Sequence, residues 1–143
     1  GPKELDAVTE ALSLSPDEAR RWHLHGFTDR MGAAMAAADA VVSRAGATSL
    51  AEISARALPA LLVPFPHATE DHQTMNARAC VGAGAAFMVA DADVEGPEFE
   101  RHLLSLVGDE GVRERMAAAA RAQKTRDAAA LLADAVAKAA GAH

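Results

Sequence analysis

At 143 residues the chain is the length of one domain and can bury a core without disulfides or a structural metal. A formal net charge of −6 excludes a broad phosphate-backbone footprint, and one Trp, four Phe and no Tyr leave no stacking platform, so no nucleic-acid partner is expected. A single cysteine, Cys80, excludes an internal disulfide framework and fits a reducing, cytoplasmic compartment; no signal peptide and no apolar run of about 18 residues is present, so no membrane insertion is expected.

In chain order, residues 3–13 predict a helix with Leu5, Val8 and Leu12 on one face. Ser15-Pro16 opens a short polar turn or helix. WHLHGF (22–27) predicts a first strand, and Thr28-Asp29 can cap a helix through RMGAAMAAAD. AVVS (40–43) predicts a second strand. A helix from about Ser49 to Leu58 follows, closed by Pro59, and ALLVPF (60–65) predicts a third strand. DHQTMNARACVGAG (71–84) predicts a helix ended by glycine, and AAFMVA (85–90) a fourth strand. Three further helices are expected over EFERHLLSLV, DEGVRERMAAAARAQ and DAAALLADAVAKAA. Strands and helices alternate, and the strands lack period-two polarity. The expected fold is α/β: an open, Rossmann-like parallel sheet flanked by helices. Ligands bind such sheets beyond the carboxyl ends of the strands.

SRAGATSLAE (43–52) lies at that edge. Gly46 admits close backbone approach, Ala47 is small, and Thr48 and Ser49 add hydroxyls. A helix start there offers unpaired N–H groups and the positive end of the dipole, a workable diphosphate cradle. No Gly-Lys-Ser/Thr and no G-x-G-x-x-G occurs, which excludes a P-loop and the dinucleotide fingerprint. Ser49 and Glu52 also form S-x-x-E, the pattern of a capping box, so local pattern alone leaves Glu52 either a cap or a ligand contact. His72, Gln73 and Asn76 share a helix face at the same edge. An amide there reads sugar hydroxyls well, because it both donates and accepts; an ordinary solvated first turn fits the same pattern. His67, Glu70, Asp71 and His72 suggest a metal cluster, but the histidines are five apart rather than four and no cysteine is close, so no metal or cofactor is expected. No G-x-S-x-G elbow supports a serine triad, Cys80 reads as core, and no catalytic residue can be assigned.

Residues 38–86, ADAVVSRAGATSLAEISARALPALLVPFPHATEDHQTMNARACVGAGAA, resemble the C-terminal domain of the MurG family. S-R-x-G-A, L-A-E, P-x-L-L-V-P-F-P-H, H-Q-x-x-N-A and G-A carry the resemblance, and GFTDRMGAAMAAAD resembles the segment before them. These are bacterial transferases that move GlcNAc from UDP-GlcNAc to lipid I, giving lipid II for peptidoglycan. Their GT-B fold has two Rossmann-like halves, and the C-terminal half holds the donor. The resemblance implies that the Thr28 backbone meets the uracil, that Gly46, Ala47, Thr48 and Ser49 hold the diphosphate, and that Glu52 bonds the ribose. His72 and Gln73 would face the sugar, where many relatives carry two glutamines, and Arg44 and Asn76 match family positions of a structural kind. It further implies that residues 1–143 form a single domain, the truncated donor half of a longer enzyme. The N-terminal acceptor domain and its membrane-facing patch would lie outside this sequence, with the parent enzyme peripheral on the cytoplasmic face. Two alternatives stand beside it: another GT-B transferase of the natural-product type, and a non-catalytic donor-binding subunit that works with a separate partner chain.

Overall fold

The computed structural model describes residues 2–66 and 72–123. Three parallel strands, β1 (Val41–Ser43), β2 (Ala60–Leu62) and β3 (Ala86–Met88), form a sheet in the order β1-β2-β3. Val41, Val42 and Ser43 pair with Ala60, Leu61 and Leu62, which pair in turn with Ala86, Phe87 and Met88. Parallel neighbours need long crossovers. The first contains α4 (Ala47–Arg56) and the second α5 (His72–Gly82).

The central strand is buried on both faces, which is why its sequence shows no alternation. Ala60 and Leu62 pack with Met35, Leu50, Ile53, Leu58, Ala77 and Ala86 on one side. Leu61 points the other way, to Val89, Leu106 and Met116. That second face is covered by α6 (Pro97–Gly108), which starts with Pro97 in its first turn, and by a helix over 110–123. The crossover helices stop where their sequence tells them to. Ala57 takes the left-handed conformation after α4, and Leu58 N–H returns to the Ile53 carbonyl ahead of Pro59. After α5, Gly84 sits at φ 75°, and the N–H of Ala85 bonds the Cys80 carbonyl at 3.0 Å.

The chain divides into two compact units, residues 1–33 and 34–143. The first holds a 3-10 turn (Pro2–Glu4), α1 (Leu5–Leu12), α2 (Pro16–Ala19) and the start of α3 (Met31–Ala36). WHLHGF is not a strand. A strand exists only through ladder hydrogen bonds to a neighbour, and the described residues of this unit supply none. Trp22 and Phe27 accordingly stand 52% and 79% exposed. The helix expected through 30–39 is shorter, ending at Ala36. Among the described residues no helix is long and apolar enough to cross a membrane. The helix expected over 127–140 lies outside the described residues.

α2 carries a genuine capping box. The Ser15 hydroxyl and N–H donate to the Glu18 carboxylate at 2.6 and 2.9 Å, and Ser15 Oγ accepts the Glu18 N–H. These bonds, the hydroxyl first, hold the Glu18 carboxyl below its ordinary range. The box therefore contributes above the unfolded-state pKa of Glu18 and is lost as pH falls through the lower folded value. Ser15→Ala is expected to raise the Glu18 midpoint toward that of a free glutamate, as followed by side-chain NMR through the acid range. An unmoved midpoint would show that Ser15 does not hold the charge.

Candidate functional site at the carboxyl edge of the sheet

β1 ends at Ser43, and the chain passes through Arg44 and the fully buried Ala45 to Gly46, the N-cap of α4. The helix thus begins two residues before the expected Ser49. Ser49 lies inside its first turn, so Ser49 and Glu52 do not form a capping box. The two S-x-x-E sequences of this chain differ for a physical reason. Ser15 precedes a proline, which suits the first helical position, whereas Ser49 follows Ala47 and Thr48, which are free to be helical already.

The Leu50 N–H bonds the Gly46 carbonyl at 2.9 Å, as the first intrahelical bond must. The N–H groups of Ala47, Thr48 and Ser49 precede it and have no acceptor among the described residues. Gly46 caps with no side chain. Its φ of −67° and ψ of 146° suit any residue, and a Cβ built there meets nothing within 4 Å. Neither backbone strain nor packing against the described residues explains glycine here. Glu52 lies three and four residues beyond Ser49 and Thr48, on their face of the helix. It is half-buried, and its carboxylate has no partner among the described residues.

The second edge segment begins α5. His72 is exposed at its first position and Gln73 half-buried beside it. Gln73 Oε1 accepts the Phe65 N–H at 3.0 Å, across the turn that follows β2. With its oxygen engaged, the amide presents its NH2 as a donor. Asn76 is half-buried one turn on.

Arg44 joins these two segments. Its guanidinium donates to the carbonyls of Val63 and Pro64 at 3.3 and 3.4 Å, lies 5.5 Å from the Phe65 ring centre, and pairs with Asp91. Asp91 opens the 3-10 turn after β3. One side chain therefore ties together the carboxyl ends of all three strands. The sequence pointed only to a structural kind of position for Arg44 and missed Phe65 and Asp91. An arginine directly after a buried strand, with an acid directly after the third strand's run, was the available signal. An open hollow of about 360 Å³ adjoins the Arg44–Asp91 pair, and none of the eight expected site residues lines it.

Of those eight, Gly46, Ala47, Thr48, Ser49 and Glu52 share the start of α4, and His72 and Gln73 share the start of α5. Thr28 belongs to the first unit, where its Oγ1 accepts the Arg30 N–H at 3.1 Å before α3. His67, Glu70 and Asp71 lie outside the described residues. Cys80 is half-buried against the core, and burial pushes its thiol up, which leaves it protonated and unreactive near neutral pH.

A glycosyltransferase family 28 C-terminal domain model matches residues 2–132. The chain is 42% identical over 136 residues to a protein of Clavibacter michiganensis subsp. michiganensis named UDP-N-acetylglucosamine--N-acetylmuramyl-(pentapeptide) pyrophosphoryl-undecaprenol N-acetylglucosamine transferase, covering 95% of this chain and 37% of that one. A protein of the same name from Salinibacter ruber is 44% identical over 129 residues, covering 90% and 34%. The crystal structure of Acinetobacter baumannii MurG superposes with a TM-score of 0.71 at 27% identity, over 85% of this chain and 36% of that one. The chain spans little more than a third of the length of these relatives. With a parallel sheet, a glycine-led helix at its carboxyl edge and a match over nearly all of its length, the chain belongs to the glycosyltransferase family 28 C-terminal domains, in the MurG group.

Proposed function

We propose that this chain is the donor-binding half of a UDP-GlcNAc-dependent transferase that adds GlcNAc to lipid I, forming lipid II for peptidoglycan. One observation carries the reading. Among the described residues, three N–H groups without acceptors open at the start of α4, under a glycine that no packing there requires, with an unpaired carboxylate one turn along. A diphosphate fits the first feature, and ribose hydroxyls fit the second. The names of the relatives supply the sugar and the acceptor.

On this reading Gly46 lets the diphosphate reach the backbone. Ala47, Thr48 and Ser49 donate N–H groups, with two hydroxyls in reserve. The helix end supplies roughly half a positive charge, fixed in place before the sugar leaves. Electrostatic stabilisation of this kind acts on the charge that builds on the departing UDP. No metal is needed where a helix end neutralises that charge. Glu52 accepts from the ribose hydroxyls, His72 and Gln73 face the sugar, and the Thr28 backbone meets the uracil. Residues 1–143 then form one donor domain. The acceptor site and the surface that holds the enzyme to the cytoplasmic face of the membrane belong to a separate N-terminal domain. The chain alone is expected to transfer no sugar.

Calorimetric titration with UDP-GlcNAc, UDP and UDP-glucose tests the reading. Hydrogen bonds to a charged group contribute about 1.5–3 kcal/mol, so Glu52→Ala is expected to weaken UDP binding by about 10- to 150-fold. Equal binding by wild type and variant would return Glu52 to a solvated helix position. Preference for UDP-GlcNAc over UDP-glucose supports the assigned sugar, and indifference between them removes it.

A further inference from the structure

We propose that Arg44 is a positioning residue for sugar recognition, acting through Phe65 on the Gln73 amide. This rests on the donor-site reading above and deepens it. Nothing in that reading gives Arg44 a ligand to hold, yet its side chain bridges three segments of this edge. It meets the Val63 and Pro64 carbonyls, the Phe65 ring and the Asp91 carboxylate.

Those contacts converge on one backbone position. Val63 and Pro64 lead directly into Phe65, whose N–H fixes Gln73 Oε1 at 3.0 Å. An unrestrained glutamine amide rotates and presents either its oxygen or its nitrogen. Here the Phe65 N–H, a donor only, faces the amide oxygen, which leaves the NH2 for the ligand. Gln73 then presents its NH2 as a donor to a sugar oxygen. The orientation depends on where the Phe65 N–H points. Arg44 sets that direction by holding the two preceding carbonyls and stacking on the ring. Asp91 holds the guanidinium in turn, and its place after β3 anchors the chain of contacts to the sheet.

All three acceptors meet one guanidinium nitrogen, Nη1, while the guanidinium carbon lies over the Phe65 ring, 5.5 Å from its centre. A lysine ammonium has three donors for these acceptors but no flat face for the ring. Arg44→Lys is therefore expected to fall between wild type and Arg44→Ala in the ratio of the two affinities.

The test measures UDP and UDP-GlcNAc affinity of the 143-residue chain by calorimetry, for wild type, Arg44→Ala, Arg44→Lys, Gln73→Ala and the Arg44→Ala/Gln73→Ala pair. One amide hydrogen bond has a net value of about 0.5–1.5 kcal/mol, so Arg44→Ala is expected to lose about two- to thirteenfold in UDP-GlcNAc affinity relative to UDP. In the Gln73→Ala background the same change is expected to add nothing, because the group it positions is gone. Asp91→Asn, a milder change at the far end of the chain of contacts, reads the same ratio if Arg44→Ala fails to fold. An equal loss of both ligands, an unchanged ratio, or additive losses in the double variant would overturn the positioning role and leave the donor site standing. A folded wild type that binds neither ligand would overturn both.

Discussion

Gly46→Asp is expected to keep or raise the stability of α4 while abolishing nucleotide-diphosphate binding. Aspartate is a better N-cap than glycine by a few tenths of a kcal/mol, and the backbone at Gly46 already suits it, with open space around the new Cβ. On the proposed donor reading the same carboxylate would stand where the diphosphate approaches the helix. Two like charges roughly 5 Å apart, at an effective dielectric near 20, repel by about 3 kcal/mol, which corresponds to a loss of more than about 100-fold. Gly46→Asn separates charge from bulk: it caps as well and carries no charge, so it is expected to bind at least about tenfold better than the aspartate variant. Thermal melts beside UDP titrations read both halves. Undiminished UDP affinity in Gly46→Asp would place the diphosphate elsewhere.

Leu61→Ala is expected to be the most damaging single truncation in the sheet. Leu61 is fully buried in the central strand and packs on Val89, Leu106 and Met116. Its removal opens a cavity between strand and covering helices, in surroundings that a parallel ladder holds rigid. Truncations of this type cost about 2–5 kcal/mol, against a total of about 5–15 kcal/mol for a domain. Leu104→Ala, on the outer face of α6 at 62% exposure, is the matched control and is expected to shift stability by under about 0.5 kcal/mol. Urea denaturation midpoints compare the two. Similar midpoints would mean that α6 does not cover Leu61 in solution.

The crossovers were legible because their signals are local. Pro59 and the glycine after α5 stop helices by backbone chemistry that acts within a few residues, and the apolar runs before Arg44 and Pro64 have no other place to go than a buried sheet. WHLHGF was misread because strand identity is not local. Its composition suits a strand, but composition supplies no neighbour to pair with. The start of α4 was placed two residues late for a related reason. Serine with a glutamate three residues on is a cap only if the preceding residues are not already helical, and a hydroxyl counted in isolation does not report that. Spacing could group Gly46 to Glu52 because one helix end holds them, but it left Glu52 either a cap or a ligand contact, and its ribose role came only from the resemblance. The contacts of Arg44 with Val63, Pro64 and Asp91 span 19, 20 and 47 residues, and no periodicity encodes them.

The strand order β1-β2-β3 follows the order of synthesis. Each crossover therefore completes against a strand already made, with no need to wait for a distant segment. Residues 41–62 alone contain β1, α4 and β2, so the glycine-led turn at Gly46 can form while the covering helices are still to be translated. A nascent chain of this kind acquires the start of α4 early, and on the proposed donor reading a nucleotide bound there would favour the pairing of β1 with β2 before the rest of the core arrives.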